Sequence, residues 1–367
     1  MKITINQIYI AFILCNVICK GIGLNNGSIV YQFLMTIGLI YIVFEIMIKK
    51  YTNKETIISL IILLIGILNL TITYQVTFFI TCITIVGFKG IDFESLIKKI
   101  CPVMTACFLV TFFAAVLGII DREEVEIWRD TGFLTRYGMG YGHPNTLHLT
   151  MFIVLTLNYY CYAKGKISER IFLLVALLLN LLVYKYSASR TGFAVVCILE
   201  LLIILHQFKL MDKMILRLPK IIFFSLLGLT LLTPVLQKMG FFSGVMLLNG
   251  RVAYTYLYLT KYGYSLFGFN NAFTETGLLL DNGYLRFLIE TGLTGLLVWL
   301  YLNINVMKII SKKQNSKLAI IASCFYIYIF TESFSANIFM NYILFWGASR
   351  IFIDEYRYNK KDELKYV

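Results

Sequence analysis

Seven polar residues in this 367-residue chain have the types and settings that could do chemistry: Arg136, His143, Asn145, Arg190, Arg251, Asp281 and Asn282. Arg190 lies in Tyr186-Ser187-Ala188-Ser189-Arg190-Thr191-Gly192, between the apolar runs Ile171–Tyr184 and Phe193–Leu205. A charge at so tight a junction is costly unless an anion uses it. Guanidinium forks grip phosphate oxygens bidentately, so three arginines on separate connections suit a diphosphate. His143 and Asp281, with ordinary pKa values of about 6.5 and about 3.9, can each accept a proton at neutral pH. Either would orient or deprotonate an attacking hydroxyl. Asn145 and Asn282 would hold substrate or neighbouring loop groups. Each residue also has a plainer reading. A histidine in a glycine-rich loop can be a structural hydrogen-bonding group, Asp281 before Asn-Gly can be a turn or helix cap, and a lone arginine can be ordinary loop charge.

The elements that must position these residues are membrane helices. The chain is 59% hydrophobic and 14% charged, with a mean hydropathy of +0.77, whereas soluble proteins carry about 25% charged residues. It reads as one all-α, polytopic transmembrane domain over residues 1–367. A span needs roughly 17–25 apolar residues. That window gives Ile3–Cys19, Ile29–Ile48, Thr56–Tyr74, the short Val76–Phe88, Ile100–Ile120 and Thr146–Ala163. It continues with Ile171–Ser187, Thr191–Gln207, Leu218–Leu236, Tyr284–Met307, Leu318–Phe334 and Ile338–Ile353, which makes about twelve. With both termini cytoplasmic, 23 of the 33 basic residues fall inside, as the positive-inside rule asks. The first span resembles a signal peptide without a cleavage site and is read as retained.

The ten outer cations are Lys20, Arg122, Arg129, Arg136, Lys185, Arg190, Lys238, Arg251, Lys261 and Arg286, and six of them are arginine. The basic residues are spread through short loops rather than clustered, which argues against a nucleic-acid partner. The eight cysteines show neither metal-ligand nor disulfide spacing, so no metal or other cofactor is expected. Two outer connections are long, 121–145 and 237–283, and loops of such length are commonly functional or disordered. Their glycines and aromatics argue for order. Tyr254, Tyr258 and Tyr262 recur every fourth residue, as on one face of a short amphipathic helix at the outer leaflet. Glu290 lies four residues after Arg286 and suits a local ion pair, and Glu200, Asn158 and Asn180 suit interhelical polar contacts.

A sugar linked to a lipid diphosphate meets both demands, a diphosphate to hold and a hydroxyl to orient. Its leaving group departs once charge on the phosphate oxygens is stabilised. At this point the residues resemble a family. Arg136-x-Gly-x-Gly-x-Gly-His143-Pro144-Asn145, Ser189-Arg190-Thr191-Gly192, Asn249-Gly250-Arg251 and Asp281-Asn282-Gly283-Tyr284-Leu285 with Glu290-Thr291-Gly292-Leu293 resemble patches of Wzy-type capsular and exopolysaccharide polymerases. The wider O-antigen ligase-like superfamily typically has His-Asn where this chain has Asp281-Asn282. The resemblance implies metal-independent, inverting glycosyl transfer at the outer leaflet of a bacterial plasma membrane. A glycan on undecaprenyl diphosphate would move onto another lipid-linked repeat unit. It also implies membrane lipid, and a flippase and chain-length regulator of the same pathway, as partners. In that reading Arg190 and Arg251 bind the diphosphate with help from Arg136, and His143 or Asp281 orients the acceptor hydroxyl. A ligase with the same machinery is the alternative among enzymes. A flippase for the lipid-linked unit is the alternative from another class, although it should show charged spans and related halves.

Overall fold

The computed structural model describes residues 5–24, 28–129, 132–208, 211–240, 251–270, 272–277 and 280–352. Among these the chain forms helices α1 (Ile5–Gly21), α2 (Ile29–Ile48), α3 (Asn53–Thr73), α4 (Val76–Gly87) and α5 (Phe93–Val116). A hairpin of strands β1 (Glu124–Arg129) and β2 (Gly132–Tyr137) follows. Then come α6 (Pro144–Tyr162), α7 (Lys166–Ser187), α8 (Arg190–Gln207), α9 (Asp212–Lys238), α10 (Arg251–Tyr262) and α11 (Ala272–Thr276). The chain continues through α12 (Gly283–Lys313), α13 (Ser316–Thr331) and α14 (Ile343–Ser349), and a 3-10 turn covers Arg350–Phe352. Seven of the described helices, α2, α3, α5, α7, α8, α9 and α12, are long and apolar enough to cross a membrane.

Burial on α3 shows why the chain is membrane-embedded. Its Ile57, Leu60, Ile61, Leu64 and Ile67 are exposed, while Ser59, Gly66, Asn69 and Thr73 face inward. Apolar residues outside and small or polar ones inside suit lipid rather than water as the surrounding solvent. Thr52 and Glu55 start this helix with a reciprocal capping box.

The first compact unit comprises Met1–Tyr41, Ile91–Ile215 and Ser316–Cys324. Here α1 packs on α5, and α6 packs on α5, α7 and α8. The connection from α5 to α6 is not the purely non-strand loop of an all-α chain. Glu124-Val125-Glu126-Ile127 alternates polar and apolar residues, and the strand pairs antiparallel with β2, Val125 opposite Arg136 and Trp128 opposite Phe133. Glu123 orders the glycine-rich stretch beyond the hairpin. Its backbone carbonyl accepts from the Gly138 N–H at 3.0 Å, and its carboxylate accepts from the Gly142 N–H.

The second unit comprises Ile42–Gly90, Leu216–Asn315 and Phe325–Val367. Phe223, Tyr284, Trp299 and Tyr326 form its aromatic centre, with Phe223 ring centroids 4.8–5.8 Å from the other three. Two features here depart from the expected row of spans. The expected single helix Tyr284–Met307 is broken at Gly292, whose backbone has φ 71 and ψ −171. The expected span Ile338–Ile353 is not one helix, because residues 332–342 are turns and α14 has only seven residues. At about 1.5 Å per residue, α14 covers a fraction of a bilayer core of about 30 Å. Position 353 and the basic tail beyond it lie outside the described residues.

Irregular backbone among membrane helices must be buried and hydrogen-bonded. The turn 332–342 meets that condition, with the Thr81 hydroxyl donating to the Ala336 carbonyl at 2.7 Å and the Ser335 hydroxyl donating to the Gly283 carbonyl at 2.8 Å. The break in α12 meets it too. The N–H groups of Leu293 and Thr294 donate to the carbonyls of Ser265 and Leu266 at 2.9 and 3.0 Å, and Phe269 N–H donates to Ile289 at 2.9 Å. The buried Asn69 amide donates to Phe267 at 2.7 Å and to Glu290 at 2.8 Å. The Leu266-Phe-Gly-Phe-Asn270 stretch therefore docks into a gap that Glu290-Thr291-Gly292-Leu293 opens.

Candidate functional site

The first unit brings Arg136, Asn145 and the Arg190 junction together. Helix α7 ends at Ser187, and Ala188 turns the chain in the left-handed region at φ 42. Ser189 then caps α8 by accepting from the Gly192 N–H at 3.4 Å. A β-branched or bulky side chain at 188 would worsen this already disfavoured backbone. Arg190 follows as the first residue of α8 and is exposed. Arg136 is buried, at 6% exposure. Its Nε donates to the Ser187 carbonyl at 2.6 Å, and its Nη2 donates to Asn145 Oδ1 at 2.5 Å. One guanidinium thus ties the start of α6 to the α7–α8 junction. The start of α6 and the junction that leads into α8 therefore lie beside one buried guanidinium, and each helix start carries partial positive charge. Such an arrangement favours an anion.

His143 caps α6, with Pro144 at the first helical position. The ring is exposed, and its Nδ1 accepts from the Asn145 N–H at 3.1 Å. A neutral ring in this state carries its proton on Nε2. To act as a base it would first have to release the cap.

The polar network behind the junction was not legible as a site. His148 is fully buried one turn into α6. Its Nδ1 lies 3.0 Å from Ser187 Oγ and its Nε2 lies 2.9 Å from Asn180 Oδ1. Ser187 Oγ also accepts from the Ser189 N–H at 3.2 Å, and Asn180 Nδ2 donates to the Phe193 carbonyl at 3.3 Å. A Cβ on Gly192 would lie 2.6 Å from Cγ and Cδ2 of the His148 ring. Gly192 is therefore required by close approach to His148. A histidine inside an apolar run, four residues past Pro144, was the available signal.

The second unit holds the remaining candidates. Asn282 is buried and caps α12, its Oδ1 accepting from Tyr284 N–H at 3.1 Å and Leu285 N–H at 3.3 Å. Its Nδ2 donates to Thr230 Oγ1 at 3.2 Å. That amide is committed to structure. Asn282→Ala is expected to lower thermal stability in detergent by about 1–2 kcal/mol, and Asn282→Asp, which keeps the capping oxygen, by less. A substrate-holding role would instead leave stability unchanged and remove activity in both variants. Asp281 is half-buried just before this cap. Arg251 opens α10, while Asn249, Gly250 and the Arg251 side chain lie outside the described residues. The tyrosine face of α10 packs within the protein. Tyr258 Oη and Thr276 Oγ1 are 2.5 Å apart, and Tyr262 donates to the Ala272 carbonyl at 3.1 Å.

Other arginines expected on the outer side make contacts within the fold. Arg122 donates to the last carbonyls of α5, Ala115 at 3.2 Å and Val116 at 3.0 Å. Arg286 pairs with Glu290 at 2.7 Å, donates to Ser333 Oγ at 2.9 Å and lies 4.8 Å from the Phe273 ring centre. Among the described residues no group of three or more His, Cys, Asp or Glu side chains is placed to hold a metal ion. Compared with family models, curated proteins and solved structures, the chain matches none.

Proposed function

We propose that the chain polymerises oligosaccharide repeat units carried on a lipid diphosphate at the outer face of the plasma membrane. In this reading it crosses the membrane about twelve times with both termini cytoplasmic. The observation that carries the reading is the Arg136 tie. A buried guanidinium joins the start of α6 to the last residue of α7, and Arg190 is exposed on the first residue of α8 just beyond the junction. The leaving group in glycosyl transfer from a lipid diphosphate gains charge on its phosphate oxygens, and preorganised donors lower that barrier most. Arg190 binds those oxygens with its fork, and the N–H groups at the start of α8 add to the field. Arg136 holds the start of α6 against the α7–α8 junction. His143, in the same unit as Arg190, serves as the cap of α6. The four motif patches point to the same class of reaction.

Arg190→Lys keeps the charge but loses the fork. It is expected to lower polymer yield about tenfold or more at unchanged protein level. Polymer of wild-type yield and length would remove Arg190 from the mechanism. Labelling of a cysteine placed at 190 by an impermeant reagent from the outside only is expected; labelling only from the cytoplasm would invert the proposed orientation.

One observation favours a second reading, a flippase for the same lipid-linked unit. Interrupted helices mark substrate sites in many transporters, and α12 is interrupted at Gly292. The loop that fills this gap consists of the protein's own backbone, which suits a structural break.

A further inference from the structure

We infer that His148 is a positioning residue for the anion site, setting the geometry of Ser187 and through it of Arg136 and Arg190; this rests on the proposed diphosphate-binding role of that site. The bonds around His148 run in one direction. Asn180 Nδ2 donates to the Phe193 carbonyl and more weakly to Cys197 Sγ at 3.6 Å, so its Oδ1 faces the ring as an acceptor. His148 Nε2 then carries the proton, and Nδ1 accepts from the Ser187 hydroxyl. Ser187 Oγ in turn accepts from the Ser189 N–H. Each donor in this chain meets an acceptor, from the cap of α8 back to the carbonyl of Phe193 in its first turn.

Ser187 is the shared element. Its hydroxyl belongs to the histidine chain, while its carbonyl receives Arg136. A rotation of Ser187 would therefore move the Arg136 anchor and the Ser189 cap together. The imidazole also fills the space against Gly192, so its volume and its Nδ1 act on the same short junction, while Nε2 holds the ring to Asn180 of α7. Fully buried networks of this kind fix one arrangement when every member is satisfied. Both imidazole nitrogens are bonded, one to Ser187 just before the exposed arginine and the other to Asn180, whose amide reaches the Phe193 carbonyl just after it.

The test uses the full-length protein in detergent and two readouts. The first is binding of a short-chain polyprenyl diphosphate, with the monophosphate of the same chain as control. The second is the rate at which Arg190→Cys reacts with a charged maleimide. His148→Phe keeps a ring against Gly192 and removes both hydrogen bonds; Ser187→Ala removes only the hydroxyl. Both variants, folded by thermal melting, are expected to weaken diphosphate binding about tenfold, the worth of one well-made polar contact. They are also expected to change the labelling rate at 190. His148→Gln, which can keep one of the two bonds, should recover part of the loss. Wild-type affinity and labelling rate in His148→Phe would overturn the positioning role. Should the wild-type protein bind no diphosphate while His148→Phe still changes labelling at 190, the diphosphate reading fails and the positioning geometry stands.

Discussion

On the proposed polymerase reading, Arg136→Lys is expected to reduce polymer formation about tenfold, because a misplaced support shifts the donors it positions away from the developing charge. The guanidinium reaches two acceptors on different elements at once, the Ser187 carbonyl through Nε and the Asn145 amide oxygen through Nη2. An ammonium concentrates its donors on one atom and cannot span both in the same geometry. Lysine keeps the charge, so the expected loss belongs to geometry rather than to net attraction for an anion. The start of α6 and the α7–α8 junction are then free to separate, and the effect at Arg190 is indirect. The check is polymer yield beside protein level and melting temperature. A variant that folds and makes wild-type polymer would remove Arg136 from the site.

The largest expected effect on stability comes from Gly292→Ala. With φ 71 and ψ −171, Gly292 occupies backbone space that is essentially reserved for glycine. A Cβ there would also lie 2.5 Å from Gly268 N and from the carbonyl carbon and oxygen of Leu266. Backbone strain of about 1–3 kcal/mol adds to overpacking of about 1–3 kcal/mol. The docked stretch 265–269 would have to leave the gap, exposing the carbonyls of Ile289 and Glu290 that it and Asn69 satisfy. A strong drop in folded protein, read by size-exclusion profile and melting temperature in detergent, is the expected result. An alanine variant with wild-type stability would mean that α12 runs straight through this position.

Helix positions were largely legible because membrane spans announce themselves by apolar length, and each of the twelve expected stretches contains helix. The exceptions have physical causes. At Ile338–Ile353 hydropathy reports burial, and buried turns in this unit are as apolar as a span would be. At Gly292 the surrounding sequence keeps helical character on both sides, so only the backbone reveals the break. At 124–137 the alternation of a strand was present, but a six-residue strand is a faint signal beside 20-residue apolar runs.

The candidate site was legible in part. Arg136, Asn145 and Arg190 stand near one another because their motifs end or begin helices, and helix ends carry distinctive residues. His148 and Ser187 were not singled out, since a buried polar residue in an apolar run carries no mark of its partner. Asn282 and His143 were read first as chemical groups and prove to be helix caps. The two roles share the same residue types, because each depends on a short side chain offering a hydrogen-bond acceptor. Arginine enrichment was likewise a mixed signal, with Arg122 capping α5 and Arg286 held by Glu290 and Ser333.

The central claim is tested most directly by reconstituting the purified protein in lipid vesicles with its lipid-diphosphate-linked repeat unit and resolving the products by size. A ladder of lipid-linked glycans, one repeat unit apart and lost in Arg190→Lys, is the expected result. Movement of the intact unit between leaflets with no ladder would contradict the polymerase reading and support the transporter.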